Sequence, residues 1–125
     1  MDKAKAFGKR IRELRLKKPM SQRELAQRVA ERLKEEDRRG FDFTYLSKIE
    51  NGRLPPPSTA AILQLASVLQ ADSDELLALA GKAPPDVGQM LQKSEGARVF
   101  FRSAVSQDLT EDQWLELLRR IDKKP

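Results

Sequence analysis

With 125 residues, 39% of them apolar, and a net charge of +5, the chain has material for one small domain or a domain with an appendage, and two large domains are excluded. It contains no Cys and no His, which rules out disulfides and thiolate sites, removes the commonest general base and metal ligand, and leaves neither a cofactor nor a metal site to expect. No apolar stretch nears the roughly 20 residues of a membrane span and the first residues lack the apolar run of a signal peptide, so a soluble, cytoplasmic protein without membrane contact is expected.

A first helix is predicted over residues 3–18, where Phe7, Ile11 and Leu14 recur on one face and Pro19 stops the run. Ser21-Gln22-Arg23-Glu24 then reads as a capping box, with Ser21 accepting from first-turn amides and Glu24 reaching back to the Ser21 N–H. Leu25, Ala26, Val29, Ala30 and Leu33 carry a second helix, which runs into the charged residues 34–39 before Gly40. Asp42 is a predicted N-cap for a short third helix whose buried seam is Leu46 and Ile49. Gly52 suits a left-handed stop, and Pro55-Pro56-Pro57 forces an extended connection without backbone donors.

Ser58 restarts the chain as the cap of a fourth helix through Ile62, Leu65, Ala66 and Leu69. Asp72 caps a fifth through Leu76, Leu77 and Leu79, which Gly81 closes. Beyond Pro84-Pro85, Val87, Met90 and Leu91 suggest one short helix, and Ala97, Phe100, Phe101, Ala104 and Val105 a second. Thr110-Glu111-Asp112-Gln113 is another capping box, opening a helix with Trp114, Leu117, Leu118 and Ile121 on one face. The expected fold class is all-α: a five-helix domain over residues 1–83 and a C-terminal helical segment over residues 84–125.

Charge is unevenly divided. Residues 1–53 hold 16 Lys and Arg against 9 Asp and Glu, residues 54–83 hold 1 against 3, and residues 84–125 hold 7 against 7. A basic lobe on an otherwise balanced protein suggests a polyanion, of which nucleic acid is the usual one. The plainer reading, that these cations solvate helix faces, has to be separated from it by motif and order.

Taken together, several stretches resemble the Cro/CI-type helix-turn-helix family, also called XRE-type transcriptional regulators. They are Ser21-Gln22 with Glu24-Leu25-Ala26, the run Leu46-Ser47-Lys48-Ile49-Glu50-Asn51-Gly52, the Pro57-Ser58 restart and the Leu65-Ala66 pair. The resemblance spans about residues 7–80 and has one departure: residues 30–39 are inserted between the second helix and the turn glycine, Gly40. Favourably ordered Glu35 and Arg39, with Arg32 and Glu36 in the reverse order, suggest a solvated extension of the second helix. The alternative is that Arg38 and Arg39 reach phosphate.

With Leu46 and Ile49 inward on a helical wheel, Thr44 and Lys48 lie opposite, Ser47 beside them and Phe43 and Tyr45 on the flanks. The resemblance implies that this helix enters the major groove of double-stranded DNA, making Phe43, Thr44, Tyr45 and Lys48 the base-reading candidates. Lys48 suits guanine O6 or N7, Thr44 offers a hydroxyl and a methyl, and either ring could touch a thymine methyl; packing is the other reading for both rings. It also implies backbone contacts from Gln22, at the positive end of the second helix, and from Asn51 and Arg53, with Ser21, Ser47 and the inserted Arg38 and Arg39 as further candidates. Arg15 and Glu50 match a structural ion pair of phage repressors.

The resemblance and the basic lobe together lead to the expectation of a dimeric repressor of bacterial or phage type, nucleoid-associated, reading a near-palindromic operator. Phe100, Phe101, Trp114, Leu117, Leu118 and Ile121 are the candidate dimer or partner surface, because three short helices cannot hide so much apolar area among themselves. The alternative is an antitoxin or partner-controlled repressor whose C-terminal segment binds another protein. No enzyme is expected, since the chain has neither His nor Cys nor a P-loop.

Overall fold

Helix α1 spans Lys3–Lys17 and buries Phe7, Ile11 and Arg15 along one stripe, the face its apolar spacing marks out. The computed structural model describes residues 2–123, and every regular element among them is an α-helix. Residues 1, 124 and 125, at the ends of the two expected domains, lie outside the described residues. No helix among those described is long and apolar enough to cross a membrane. The chain divides into two units, Met1–Pro84 and Pro85–Pro125.

In the first unit α1 is followed by α2 (Gln22–Glu31), α3 (Glu35–Arg38), α4 (Phe43–Glu50), α5 (Thr59–Leu69) and α6 (Ser73–Leu79). The expected caps form: side-chain oxygens of Ser21, Asp42, Ser58 and Asp72 accept from first-turn amides at 3.0, 2.9, 3.2 and 2.9 Å. Only half of the Ser21 capping box is made, because the Glu24 carboxylate turns outward to accept from Arg28 at 2.9 Å. An i, i+4 partner of opposite charge competes well for an exposed glutamate.

The inserted segment does not extend the second helix. Helix α2 stops at Glu31, Arg32 takes φ −97° and ψ −3°, and Lys34 is extended before the single turn of α3, giving this unit six helices among the described residues instead of five. The reason lies in the stripe: Leu25, Ala26, Val29 and Leu33 are buried, whereas the next positions on that face would be Glu36 and Asp37. A longer helix would have nothing to bury. Neither expected charge pair of the insertion forms among the described residues; Arg32 donates to Ser67 Oγ at 2.8 Å, and Arg38 donates to the carbonyls of Ala30 and Leu33 at 2.9 and 3.1 Å. Arg38 thereby gives the Leu33 carbonyl a donor and the Ala30 carbonyl, which already accepts from the Leu33 N–H at 3.2 Å, a further one. Phe41, just beyond Gly40, is buried and restores the apolar lining.

One core joins the helices of this unit other than α3. Its fully buried large side chains are Phe7 and Ile11 from α1, Leu25 and Val29 from α2, Leu46 and Ile49 from α4, Ile62 and Leu65 from α5, and Leu76 and Leu77 from α6. Each such side chain contributes about 1.5–3 kcal/mol by leaving water. Helix α4 is clamped between α1 and α2, so its outward face is fixed by two separate packing surfaces.

The end of α4 is set by backbone geometry. Gly52 has φ +70°, its N–H donates to the Ile49 carbonyl at 3.1 Å, and the Arg53 N–H donates to the Lys48 carbonyl at 2.9 Å. These paired bonds are a Schellman closure, which calls for a left-handed residue where glycine stands.

In the second unit, α7 (Pro85–Lys93), α8 (Glu95–Gln107) and α9 (Glu111–Asp122) follow one another. Ser94 caps α8, and Thr110 with Gln113 makes both halves of the expected capping box at the start of α9. Ala104 is the buried residue of these helices, while Val99, Phe100, Val105, Trp114, Leu115, Leu118 and Ile121 are exposed and Phe101 and Leu117 half-buried.

Candidate nucleic-acid interface

The polar surface around α4 is organised by a buried ion pair beneath it. Arg15 Nε donates to Glu50 Oε2 at 2.7 Å and Arg15 Nη2 to Glu50 Oε1 at 2.9 Å, a bidentate pair with side chains only 10% and 2% exposed. Arg15 Nη1 also donates to the Met20 carbonyl at 2.8 Å, and Gln22 Nε2 donates to Glu50 Oε1 at 3.0 Å. The Glu50 carboxylate thus fastens α1, the first residue of α2 and the last residue of α4, and Arg15 adds the turn before α2. Hydrogen bonding to Glu50, against the opposing effect of burial, holds the Arg15 guanidinium above its ordinary pKa, so the guanidinium stays charged.

Above this network α4 turns Thr44 and Lys48 to solvent, with Ser47 half-buried between its buried neighbours Leu46 and Ile49. Asn51 is exposed and its Nδ2 lies 3.5 Å from Ser47 Oγ, while Arg53 follows it at the surface. Among the described residues, Lys48, Arg39 and Arg53 have no carboxylate within ion-pair distance. Their charges are available to an outside anion.

The two rings at the start of α4 differ. Tyr45 is half-buried and meets Phe41 edge-on, with centroids 5.4 Å apart and planes at 71°. Burial pushes its phenol pKa up. Phe43 is 36% exposed, and the Arg23 guanidinium carbon lies over its ring, 3.7 Å from the centroid. Gln22, expected at the surface as a backbone contact, has one amide hydrogen engaged by Glu50. Arg38 is engaged by the Ala30 and Leu33 carbonyls, whereas no such bond ties Arg39 among the described residues.

Sequence reasoning missed Arg23 and Phe41. Phe41 could have been found as the first apolar residue after the charged insertion. Arg23 had no signal, because stacking between exposed residues in different helices leaves no periodic trace.

An N-capped helix, a turn and a short second helix with a polar outward face are the parts from which a helix-turn-helix is made. Residues 6–79 match the family described as a helix-turn-helix domain. The chain is also 32% identical over 90 residues to the HTH-type transcriptional regulator RghRB of Bacillus subtilis (strain 168), a protein itself designated uncharacterized. That match covers 72% of this chain and 58% of the relative, so the chain spans less than two thirds of the relative's length. No solved structure matches at a significant level. The domain match over residues 6–79, together with the capped α2 and the Glu50-anchored α4 it contains, places the chain in the XRE-type helix-turn-helix family.

Proposed function

We propose that this chain is a sequence-specific regulator of transcription that binds double-stranded DNA, acting as a dimeric repressor on a near-palindromic operator with α4 in the major groove. The observation that carries this reading is the division of α4: Leu46, Ile49 and Glu50 are buried, and Thr44 and Lys48 stand free on the opposite side. Such a helix, held rigidly by two others, presents a short polar edge of the kind that reads bases. Tyr45 serves mainly in packing, given its half-burial against Phe41. Ser21, Gln22, Ser47, Asn51, Arg39 and Arg53 surround this edge as backbone contacts.

Selection of duplexes from a random pool by the full chain tests the reading. Lys48→Ala is expected to weaken binding to the selected duplex by about 1–3 kcal/mol and relax preference at one base position, since phosphate contacts persist. Equal loss of specific and non-specific binding would show that α4 is not the reader. Arg53→Ala should instead lower affinity for all duplexes and flatten the salt dependence by about 0.9 in slope. Arg38→Ala should leave that slope unchanged, because its donors are already bound to the Ala30 and Leu33 carbonyls.

A second copy is the proposed occupant of the apolar faces of α8 and α9, which expose Phe100, Trp114, Leu118 and Ile121. A two-fold dimer would set two α4 helices at half-sites roughly 34 Å apart. Sedimentation should give a dimer for the full chain and a smaller species for Trp114→Ala/Leu118→Ala. A full-length monomer at tens of micromolar would favour the second reading, a partner-controlled repressor in which these faces bind a different protein.

A further inference from the structure

We propose that Arg23, carried on α2, is the residue that reads a guanine at the head of α4, with Phe43 as the platform that holds it. The inference rests on the DNA-binding reading above and changes what Phe43 does within it: the ring supports a reader and makes no thymine contact of its own. The Arg23 guanidinium carbon lies over the Phe43 ring at 3.7 Å from the centroid, close enough for the guanidinium plane to rest on the ring face. Both residues are exposed, and Arg23 forms no ion pair among the described residues. The acidic neighbours of the two residues in the chain are otherwise engaged: Glu24 with Arg28, and Asp42 with the Tyr45 amide.

Stacking of this kind has a directional consequence. With one face covered by the ring, the edge N–H donors of the guanidinium point along the protein surface. They fan out in a fixed plane at the start of α4, where Phe43 is the first residue. A phosphate needs only a cation within reach, whereas the O6 and N7 atoms of guanine ask for a planar fork held in register. The ring supplies that register without consuming a donor, and it reduces the rotamer freedom an exposed arginine would otherwise lose on binding. Gln22, one position earlier, is tied to Glu50, so the backbone from which Arg23 projects is also anchored.

The test uses the full chain, with duplexes selected from a randomised pool by the wild-type protein and their single-base variants. Arg23→Ala is expected to reduce discrimination at one G·C pair tenfold or more, leaving the other positions of the profile in place. Arg23→Lys should fail to restore it, since an ammonium offers neither the fork nor the stack. Phe43→Leu should lose discrimination at the same pair, and adding Arg23→Ala to Phe43→Leu should cost less than Arg23→Ala costs alone. A uniform fall in affinity with a flatter salt dependence and an intact base profile would make Arg23 a phosphate contact and overturn the proposal. No effect of Arg23→Ala would overturn it as well, leaving the stack a surface ornament. Lys48→Ala measured alongside separates the two levels: loss of preference there with none at Arg23 sinks this inference alone, and no loss at either sinks the reading of α4.

Discussion

Replacing Glu50 with alanine is expected to destabilise the protein by about 3–5 kcal/mol, the cost of stranding one member of a buried ion pair. The substitution removes both carboxylate acceptors of Arg15 and the acceptor of Gln22, leaving the guanidinium only the Met20 carbonyl. Deprotonation gives no relief in the variant, because a guanidinium stays protonated at any accessible pH; in the wild type, where Glu50 raises the Arg15 pKa, the contribution is full below the unfolded value and is lost only as pH rises through the folded one. The Arg15 contribution should therefore be flat across the neutral range. Glu50→Gln, which keeps shape and one acceptor oxygen, should cost less than Glu50→Ala. Replacing Arg15 and Glu50 together by apolar residues of similar volume should come closest to wild type, since no charge is then left buried. Urea unfolding followed by circular dichroism measures all three. A loss below about 1 kcal/mol for Glu50→Ala would place the pair among surface salt bridges and deny it the role of fastening α4.

Legibility in the sequence depends on the range of the interaction. Helix starts are legible because a cap is a local exchange between a side chain and an amide two or three residues on, as Ser21, Asp42, Ser58, Asp72 and Thr110 each illustrate. The outward placement of Thr44 and Lys48 follows from helical period once Leu46 and Ile49 are inward. The end of α2 is misplaced when charge pairs at i, i+4 are weighed above the missing apolar stripe, because the stripe decides whether a helix is held. Arg15 and Glu50 come from resemblance, since nothing in their spacing of 35 residues announces a pair. Arg23 on Phe43 and the approach of α1 to α4 are tertiary contacts, absent from any local pattern.

That approach supplies the other large effect, at Gly8. A Cβ there would sit 2.1 Å from the Ile49 carbonyl oxygen and 2.8 Å from that of Glu50, both backbone atoms of the last turn of α4. Backbone cannot rotate aside, so α1 would have to lift from α4, loosening Phe7 and Ile11 and lengthening the Arg15–Glu50 bonds at once. By intrinsic helix propensity alone, alanine should gain up to about 1 kcal/mol over glycine in the interior of α1. The overlap outweighs this, because forcing atoms into a filled contact costs about 1–3 kcal/mol or more. Gly8→Ala is therefore expected to lower stability by about 2 kcal/mol, and Gly8→Val by more. Gly88 is the internal control: it lies in α7 with no other atom within 4 Å of its would-be Cβ, so Gly88→Ala should be neutral or slightly stabilising. Because Ile49 and Glu50 belong to α4, Gly8→Ala should also weaken binding to a selected duplex at temperatures where the protein remains folded. A neutral or stabilising Gly8→Ala would mean that α1 and α4 lie farther apart than described, and with that the fixed presentation of Thr44 and Lys48 would lose its support.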